Sequence, residues 1–213
     1  NICSRMSNYQ LFYNDLPEEI AKSFKTSLSI DTETMGLNIK RDRLCLIQIK
    51  NNDNGEYYLV KIQNENNENK FKNLKKVLED KSIVKIFHYA RFDVGVIDYY
   101  LNIKVKNIFC TKIASKLVRT YTDKHGLKNL ISEFIKIDID KKEQSSNWSN
   151  EKLSDQQIEY ALNDVKYLFE LYKIFLIELE KKSLVKTYSK IILFLETRVD
   201  LDLLGWNDDI FAH

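Results

Sequence analysis

Two carboxylates one residue apart, Asp31 and Glu33, follow a short apolar run that begins at Ser27. If residues 27–31 form a buried strand, both carboxylates point to the same face, because alternate residues of a strand share a face. Two carboxylates that converge beside apolar surroundings are costly unless a cation lies between them. The pair therefore indicates a cation site at the end of this strand; the alternative is a pair of ordinary acids in a surface turn.

Further side chains that could take part in chemistry occur at two later places in the chain. Asp93 lies near the start of a predicted helix, soon after the strand predicted for residues 83–87. The helix dipole favours an acid at that position without any function. Tyr160 and Asp164 are four residues apart in another predicted helix, so they share one face, which could also be a solvated edge. His88 by itself is explained more simply as a hydrogen-bonded loop residue than as a metal ligand.

The first half of the chain alternates between apolar strand patterns and amphipathic helix patterns. A strong turn signal, the Asn-Asp-Asn-Gly stretch preceding Glu56, separates two of the predicted strands. Three strands in succession predict an antiparallel meander, after which helices and strands alternate. The predicted helices cover residues 15–25, 70–80 and 92–101, and the predicted strands cover residues 27–31, 43–50, 56–62 and 83–87.

The second half of the chain is predicted to be mostly helical. A long helix that starts at Ser154 carries an apolar stripe that continues to Leu176. The polar stretch 136–150 is the best candidate for a mobile loop. Because no repeat or linker divides the chain, we expect residues 1–213 to form one α/β domain. The other predicted helices cover residues 111–120, 127–135 and 184–203.

Composition restricts the class of protein further. The chain has 213 residues, of which 44% are hydrophobic and 30% charged, as in ordinary globular domains. Its 5 glycines and single proline exclude collagen-like and proline-rich disordered classes. The longest apolar run near the C-terminus, residues 191–195, is far shorter than the ~20 residues that span a bilayer. We therefore expect no membrane partner.

Cysteine usage and net charge indicate the compartment and the partner only indirectly. Cys3, Cys45 and Cys110 form no CxxC pair, which favours a reducing, cytoplasmic setting. No basic segment followed by an apolar one opens the chain, so we expect no secretory signal. The net charge of +2 neither demands nor excludes nucleic acid as a partner.

The order of these motifs, rather than any one of them, resembles a known family of enzymes. A strand-end D-x-E, then F-D, then Y-x-x-x-D on a C-terminal helix is similar to the pattern of the DEDD superfamily of 3′–5′ exonucleases, in its tyrosine subclass. Within that superfamily the chain looks most like ribonuclease D, from about residue 11 to the C-terminus. The matching stretches are residues 29–37, 87–93 and 160–164, with further matches at residues 110–115, 125–130 and 144–148.

This resemblance implies an α/β architecture with a ribonuclease H-like fold. In that fold a mixed central sheet with three leading antiparallel strands is flanked by helices, and the C-terminal half is helical. Ribonuclease D proteins often carry additional C-terminal RNA-binding domains, and we expect no such separate domain in residues 1–213. The order of strands and helices that the residues predict independently agrees with this expectation.

The resemblance also implies the chemistry. Asp31, Glu33, Asp93 and Asp164 would bind two divalent cations, Mg²⁺ or Mn²⁺, which prefer hard oxygen ligands. Two ions can stabilise both the attacking and the leaving oxygen of a displacement at phosphorus. Tyr160 would orient the attacking water, since a hydroxyl with a pKa near 10 is a poor general base. The implied reaction hydrolyses RNA from its 3′ end and releases nucleoside 5′-monophosphates.

Substrate contacts are expected next to these acids. Thr34, Met35 and Leu37 would lie beside the 3′-terminal nucleotide, where an apolar side chain can pack on a base of any sequence. His88 and Phe92 would line the same pocket. The expected partner is the 3′ end of an RNA, single-stranded or tRNA-like. Candidate phosphate contacts are Lys112, Lys116 and Arg119.

Several alternatives stay open at this point. The same acids would serve a 3′–5′ DNA exonuclease acting on single-stranded DNA, because only contacts to the 2′-hydroxyl separate RNA from DNA. A catalytically inactive nucleic-acid-binding module is disfavoured, because all four acids and the tyrosine are present. Trp148 either closes over the site or packs in the core. The chain is expected to be a monomer or a homodimer. The apolar helix predicted at residues 184–203 could supply a dimer interface, but packing on the core is the simpler explanation for it.

Overall fold

The computed structural model describes residues 8–63, 71–139, 146–206 and 208–212. A six-stranded sheet forms the centre of this part of the chain. The strands are β1 (Tyr9–Tyr13), β2 (Ser27–Thr34), β3 (Leu44–Asn51), β4 (Tyr57–Lys61), β5 (Val84–Phe87) and β6 (Ile108–Cys110). They lie in the order β1-β4-β3-β2-β5-β6 across the sheet.

The sheet is mixed, as predicted. β2, β3 and β4 are antiparallel neighbours, which confirms the predicted meander. β5 pairs in parallel with β2 and with β6, and β1 pairs in parallel with β4 at the other edge. The sequence patterns missed β1 and β6, because β1 is a largely exposed edge strand and β6 has only 3 residues.

Helices cover both faces of the sheet. They are α1 (Glu18–Ser23), α2 (Lys72–Leu78), α3 (Ala90–Leu101), α4 (Thr111–Val118), α5 (Leu127–Leu130), α6 (Asp155–Lys166), α7 (Leu168–Lys181) and α8 (Val185–Leu204). A π-helical turn, Ile131–Ile135, continues α5. Lys70 of a predicted helix and residues 140–145 of the predicted mobile loop lie outside the described residues. No helix within the described ranges is long and apolar enough to cross a membrane.

The long helix predicted from Ser154 is wrong in one respect, because it is two helices that meet at Tyr167. α6 packs on β2 and β3, whereas α7 packs mainly on α4 and also contacts β5. The ammonium group of Lys50 on β3 donates to the carbonyl oxygen of Lys166 at 2.8 Å. This contact satisfies a carbonyl group at the end of α6 and ties that end of the helix to the sheet.

The alternation of side chains along β2 separates the hydrophobic core from the candidate site. Leu28 and Ile30 are fully buried in a cluster that includes Val94 of α3. Asp31 and Glu33 have the opposite parity, so they lie on the face that α6 covers. One strand therefore anchors the core on one face and presents two carboxylates on the other.

Candidate active site

Three carboxylates from two elements converge on one face of the sheet. β2 supplies Asp31 and Glu33, and α6 supplies Asp164. One ligand oxygen from each of the three residues lies within 4.8 Å of the others. Such a set of hard oxygen donors fits Mg²⁺ or Mn²⁺ better than a thiolate-preferring metal.

The position of α6 explains how Asp164 reaches the two strand acids. The helix begins with a capping box, in which the Ser154 side chain accepts from the Gln157 backbone and the Gln157 side chain accepts from the Ser154 backbone. Ile158 and Ala161 on its inner face pack against β3 and β4. The apolar stripe therefore sets the rotation of the helix, which places Asp164 at the edge of the packed face.

The fourth predicted acid, Asp93, lies beside this group rather than within it. It is buried in the first turn of α3. Tyr89, the residue before this helix, has a left-handed backbone conformation with φ 74°. The Thr32 hydroxyl donates to Asp93 Oδ1 at 2.6 Å. This hydrogen bond holds the Asp93 carboxylate against β2, close enough to Asp31 for its charge to raise the pKa of that residue.

The negative charges of the four acids interact with one another. Desolvation raises the pKa of Asp31 well above its usual value, and the charges of Asp93, Asp164 and Glu33 raise it further. Desolvation also raises the pKa of Glu33, with added contributions from Asp164 and Asp93. The negative charges of the four acids therefore oppose the ionisation of Asp31 and Glu33, and a divalent cation would relieve that repulsion.

Burial raises the pKa of Asp93 from 3.8 to about 7, against the opposing effect of its hydrogen bonds to Thr32. A carboxyl group with a raised folded-state pKa stabilises the fold at low pH and loses that contribution as pH rises through the folded value. We therefore expect the melting temperature of the metal-free chain to fall between about pH 4 and pH 7. Circular-dichroism melts across this range test the expectation. The fall should be smaller in Asp93→Asn, and an equal fall in both chains would contradict it.

Tyr160 lies one helical turn before Asp164 and is packed against Trp148, with ring centroids 5.9 Å apart. Desolvation raises the pKa of its hydroxyl, as do the charges of Asp164, Glu33 and Asp31 and a hydrogen bond to Asp164. The hydroxyl is therefore protonated at neutral pH and can donate a hydrogen bond. Trp148 itself is 1% exposed, so of the two expectations for this residue the structure supports packing in the core.

The structure brings only some of the expected substrate contacts together. Leu37 is 86% exposed and lies with Phe92 on the wall of a cavity of about 570 Å³. Met35 is also exposed but is not part of this wall. The hydroxyl of Thr34 donates to the carbonyl oxygen of Gly36 within the same loop. Leu37 and Phe92 thus form a shared apolar surface, and Met35 and Thr34 lie outside it.

His88 and the basic candidates differ in their surroundings. Nδ1 of His88 lies 2.9 Å from Thr111 Oγ1, which donates to the Phe87 carbonyl, so the ring nitrogen donates to the hydroxyl. The ammonium group of Lys112 lies 4.0 Å from the centre of the Tyr89 ring, next to His88 in sequence. These contacts do not test the expected roles. That His88 lines the substrate pocket and that Lys112 contacts a phosphate both stay predictions.

The prediction that Arg119 is a candidate phosphate contact is wrong. Arg119 is only 2% exposed and forms an ion pair with Glu133, and its Nη1 donates to the carbonyl oxygen of Lys124 at 2.7 Å. Lys116 on the same helix is exposed. A basic residue on a short amphipathic helix gives no sequence signal of which face it occupies until the packing of that helix is known.

Sequence reasoning missed two polar side chains that contact the acids, Thr32 and Gln48. Gln48 is fully buried, and its Nε2 donates to Asp31 Oδ2 at 3.1 Å and to Glu33 Oε1 at 3.3 Å. The signal available was one amide within the otherwise apolar run 44–49 of β3. That signal does not reveal its partners, because they depend on the register between β2 and β3.

Comparison with known proteins agrees with this geometry. Residues 10–180 match the model of a family described as 3′–5′ exonuclease. Ribonuclease D of Gluconacetobacter diazotrophicus is 32% identical over 156 residues, which are 73% of this chain and 38% of that protein. The chain spans about two fifths of the length of the curated ribonucleases D that it matches.

Some solved structures of nucleases are similar to this chain over more of its length than the curated relatives are. Brucella melitensis NrnC bound to pGG is 45% identical, covers 97% of this chain and 99% of its own, and superposes with a TM-score of 0.89. The same protein with bound Mg²⁺ is 43% identical, covers 97% and 99% of the two chains, and has a TM-score of 0.86. Escherichia coli RNase D is 22% identical over 90% of this chain and 50% of its own, with a TM-score of 0.77, which shows a shared fold.

The mixed sheet, its flanking helices and the acid cluster define a ribonuclease H-like nuclease core of the ribonuclease D type. The chain belongs to the 3′–5′ exonuclease family. The resemblance inferred from the motif order is confirmed by this match.

Proposed function

We propose that this chain is a metal-dependent 3′–5′ exoribonuclease that uses Asp31, Glu33, Asp93, Asp164 and Tyr160. The observation that carries the proposal is the set of three carboxylates within 4.8 Å, contributed by motifs at both ends of the region that matches the exonuclease family. An isolated group of acids is common on protein surfaces. This one is desolvated, has mutually raised pKa values and lies beside a buried tyrosine, which is typical of a functional site.

The acids have distinct proposed roles. Asp31, Glu33 and Asp164 would hold a divalent cation through their converging oxygens, and Asp93, which lies beside them, would contribute to a second cation. When bound, the cations supply Lewis-acid stabilisation of the charge that develops on the phosphoryl oxygens. The NrnC structure with bound Mg²⁺ supports Mg²⁺ as one such ion.

Tyr160 would orient the attacking water. Its raised pKa keeps the hydroxyl protonated, so the residue can donate or accept a hydrogen bond but does not remove a proton at neutral pH. Attack in line with the 3′-terminal phosphodiester would break the bond to the preceding 3′-oxygen. The product would be a nucleoside 5′-monophosphate.

Substituting Tyr160 with phenylalanine tests this role. The change keeps the ring that packs on Trp148 and removes only the hydroxyl. We expect kcat to fall about 10²-fold, the usual effect of removing one oriented hydrogen-bonding group from a reaction centre. Mn²⁺ affinity, measured by isothermal titration calorimetry, should change less than about twofold, because the ring is not a ligand. An unchanged kcat would remove Tyr160 from the mechanism.

The substrate end would lie against the apolar surface of Leu37 and Phe92, and Phe92 directly precedes Asp93 in the sequence. Leu37 is held outward by its loop, in which Asp42 accepts from the backbone nitrogen of Asn38 at 2.9 Å. Gly36 has no Cβ, and a Cβ there would collide with the Asp42 carboxylate. The exposed side chain of Leu37 and the neighbouring Phe92 can therefore pack on the terminal base without reading its sequence.

RNA is the proposed substrate, because the ribonuclease D relatives are named for it and a relative of similar length was solved bound to pGG. The decisive experiment incubates the chain with 5′-labelled RNA, the matching DNA and labelled pGG, each with Mg²⁺, Mn²⁺ or EDTA. Products are separated on a denaturing gel. A metal-dependent ladder that shortens from the 3′ end of RNA supports the proposal.

Two control chains make this experiment interpretable. Asp31→Asn should give no ladder, which excludes a contaminating nuclease. Asp155→Asn makes the same chemical change on the exposed first turn of α6 and should behave as the unsubstituted chain does. A ladder on DNA alone would favour the DNA exonuclease, and cleavage confined to pGG would indicate a nuclease for very short RNA. Absence of cleavage with every substrate would overturn the proposal.

A further inference from the structure

A buried amide outside the family motifs contacts two of the proposed metal ligands. Gln48 on β3 lies directly opposite Asp31 in the antiparallel register, and its side chain is fully buried. Its Nε2 donates to Asp31 Oδ2 at 3.1 Å and to Glu33 Oε1 at 3.3 Å. The two protons of one amide nitrogen therefore serve both carboxylates.

The orientation of this amide is set by its partners. Only the nitrogen side of an amide can donate to a carboxylate, so the oxygen of Gln48 must point away from both acids. That oxygen, Oε1, is buried and has no hydrogen-bond partner among the described residues. A buried acceptor without a partner destabilises a fold, whereas an apolar side chain such as that of Leu46 on the same strand packs without this cost. Stability alone therefore does not account for glutamine at this position.

We propose that Gln48 is a positioning residue that holds the carboxylates of Asp31 and Glu33 in the arrangement that binds divalent cations. Each carboxylate has two oxygens, and Gln48 contacts only one oxygen of each, so it orients both groups without occupying all of their acceptor sites. Its partial positive charge also faces two like charges and offsets their repulsion before a cation arrives. Hydrogen-bonding partners of metal-ligating carboxylates commonly tune affinity in this way. The inference rests on the proposed function, because it requires these acids to be ligands.

The test compares Gln48→Met with Asn51→Leu in chains stripped of metal by EDTA. Methionine keeps the length of the side chain and removes the donor. Asn51 is a second fully buried amide three residues along β3, and it donates to Ser23 at 3.0 Å, away from the acids. Isothermal titration calorimetry measures Mn²⁺ affinity, and steady-state kinetics at rising Mn²⁺ concentration separates affinity from kcat.

We expect Gln48→Met to bind Mn²⁺ about 10- to 100-fold more weakly, with most of kcat recovered at saturating Mn²⁺. Asn51→Leu should melt at a lower temperature yet bind Mn²⁺ as the unsubstituted chain does. If Gln48→Met binds Mn²⁺ as tightly as the unsubstituted chain, the positioning role is overturned while the proposed function stands. If the unsubstituted chain binds no Mn²⁺, the proposed function fails, and the positioning role fails with it.

A second measurement does not depend on the folding of Gln48→Met. In the unsubstituted chain labelled with ¹⁵N and ¹³C, the Nε2 protons of Gln48 should exchange slowly with solvent and should shift when Mg²⁺ is added. The carboxyl carbons of Asp31 and Glu33 should shift at the same Mg²⁺ concentrations. A response of the carboxyl carbons with no response of the Gln48 amide would overturn the proposal.

Discussion

Asp31→Asn is expected to lower kcat by about 10³-fold or more, because the ligand it alters supports several kcal/mol of charge stabilisation and about 1.4 kcal/mol corresponds to a factor of ten. Asparagine has the shape of aspartate, and its amide oxygen can still accept from Gln48 Nε2, so the local packing should survive. The change removes one negative charge from the centre of the cluster, where Asp31 is coupled to Asp93, Asp164 and Glu33. We therefore expect a folded chain that binds metal weakly and turns over very slowly.

The measurement is the single-turnover rate of cleavage of labelled RNA at saturating Mg²⁺, compared with that of the unsubstituted chain. Asp155→Asn is the matched control, because it makes the same substitution on an exposed position of the helix that carries Asp164. Circular dichroism verifies that both substituted chains are folded. A rate for Asp31→Asn within about tenfold of the unsubstituted chain would show that Asp31 does not hold a catalytic cation.

Metal binding should stabilise this chain strongly, and removal of one acid should weaken that effect while stabilising the metal-free fold. Metal at about 100 times its dissociation constant stabilises a folded protein by roughly 2.7 kcal/mol. For a chain of this length that corresponds to a rise in melting temperature of roughly 5–10 °C. Without metal, the raised pKa values of Asp31 and Glu33 mean that their ionised forms destabilise the fold.

Glu33→Gln is the variant that separates these two effects. Glutamine can still accept from Gln48, but it no longer adds a charge next to Asp164 and Asp93. At mildly alkaline pH we expect the metal-free melting temperature to rise by roughly 2–4 °C, corresponding to about 1 kcal/mol of relieved repulsion. The further rise on adding Mg²⁺ should be mostly lost.

Differential scanning calorimetry with EDTA and then with Mg²⁺ measures both changes in the same samples. Glu159→Gln on the exposed side of α6 is the matched control, and its Mg²⁺ response should equal that of the unsubstituted chain. A metal-free melting temperature of Glu33→Gln below that of the unsubstituted chain would show that the four acids do not repel one another as the structure indicates. An undiminished Mg²⁺ response would place the cation elsewhere.

The two faces of β2 have different roles, one in the hydrophobic core and one in the candidate site. Leu28 and Ile30 of β2 are buried in the main core, and Asp31 and Glu33 occupy the other face of the same strand. The core residues fix the backbone of the strand, and the hydrogen bonds from Gln48 hold the two carboxylates themselves. Because the core holds this strand in place, its two carboxylates cannot move apart to reduce their repulsion, and a bound cation would reduce it.

Much of the fold followed from local patterns. The meander of β2, β3 and β4 and the helix α3 were predicted within a few residues, because alternation and helical spacing are properties of neighbouring residues. The break at Tyr167 was not predicted, because the apolar stripe runs through it and only the different partners of α6 and α7 reveal it. The edge strand β1 was missed because its exposed residues carry little burial signal.

For the candidate site, too, some features follow from the sequence and others only from the tertiary structure. The sequence by itself determined which acids and which tyrosine are candidates for the site, because their types, order and spacing along the chain are distinctive and do not depend on packing. Only the tertiary structure decided that Gln48 and Thr32 contact those acids and that Arg119 is buried in an ion pair. Contacts of this kind depend on strand register and helix rotation, which are set by the summed packing of residues far apart in the chain rather than by any local motif.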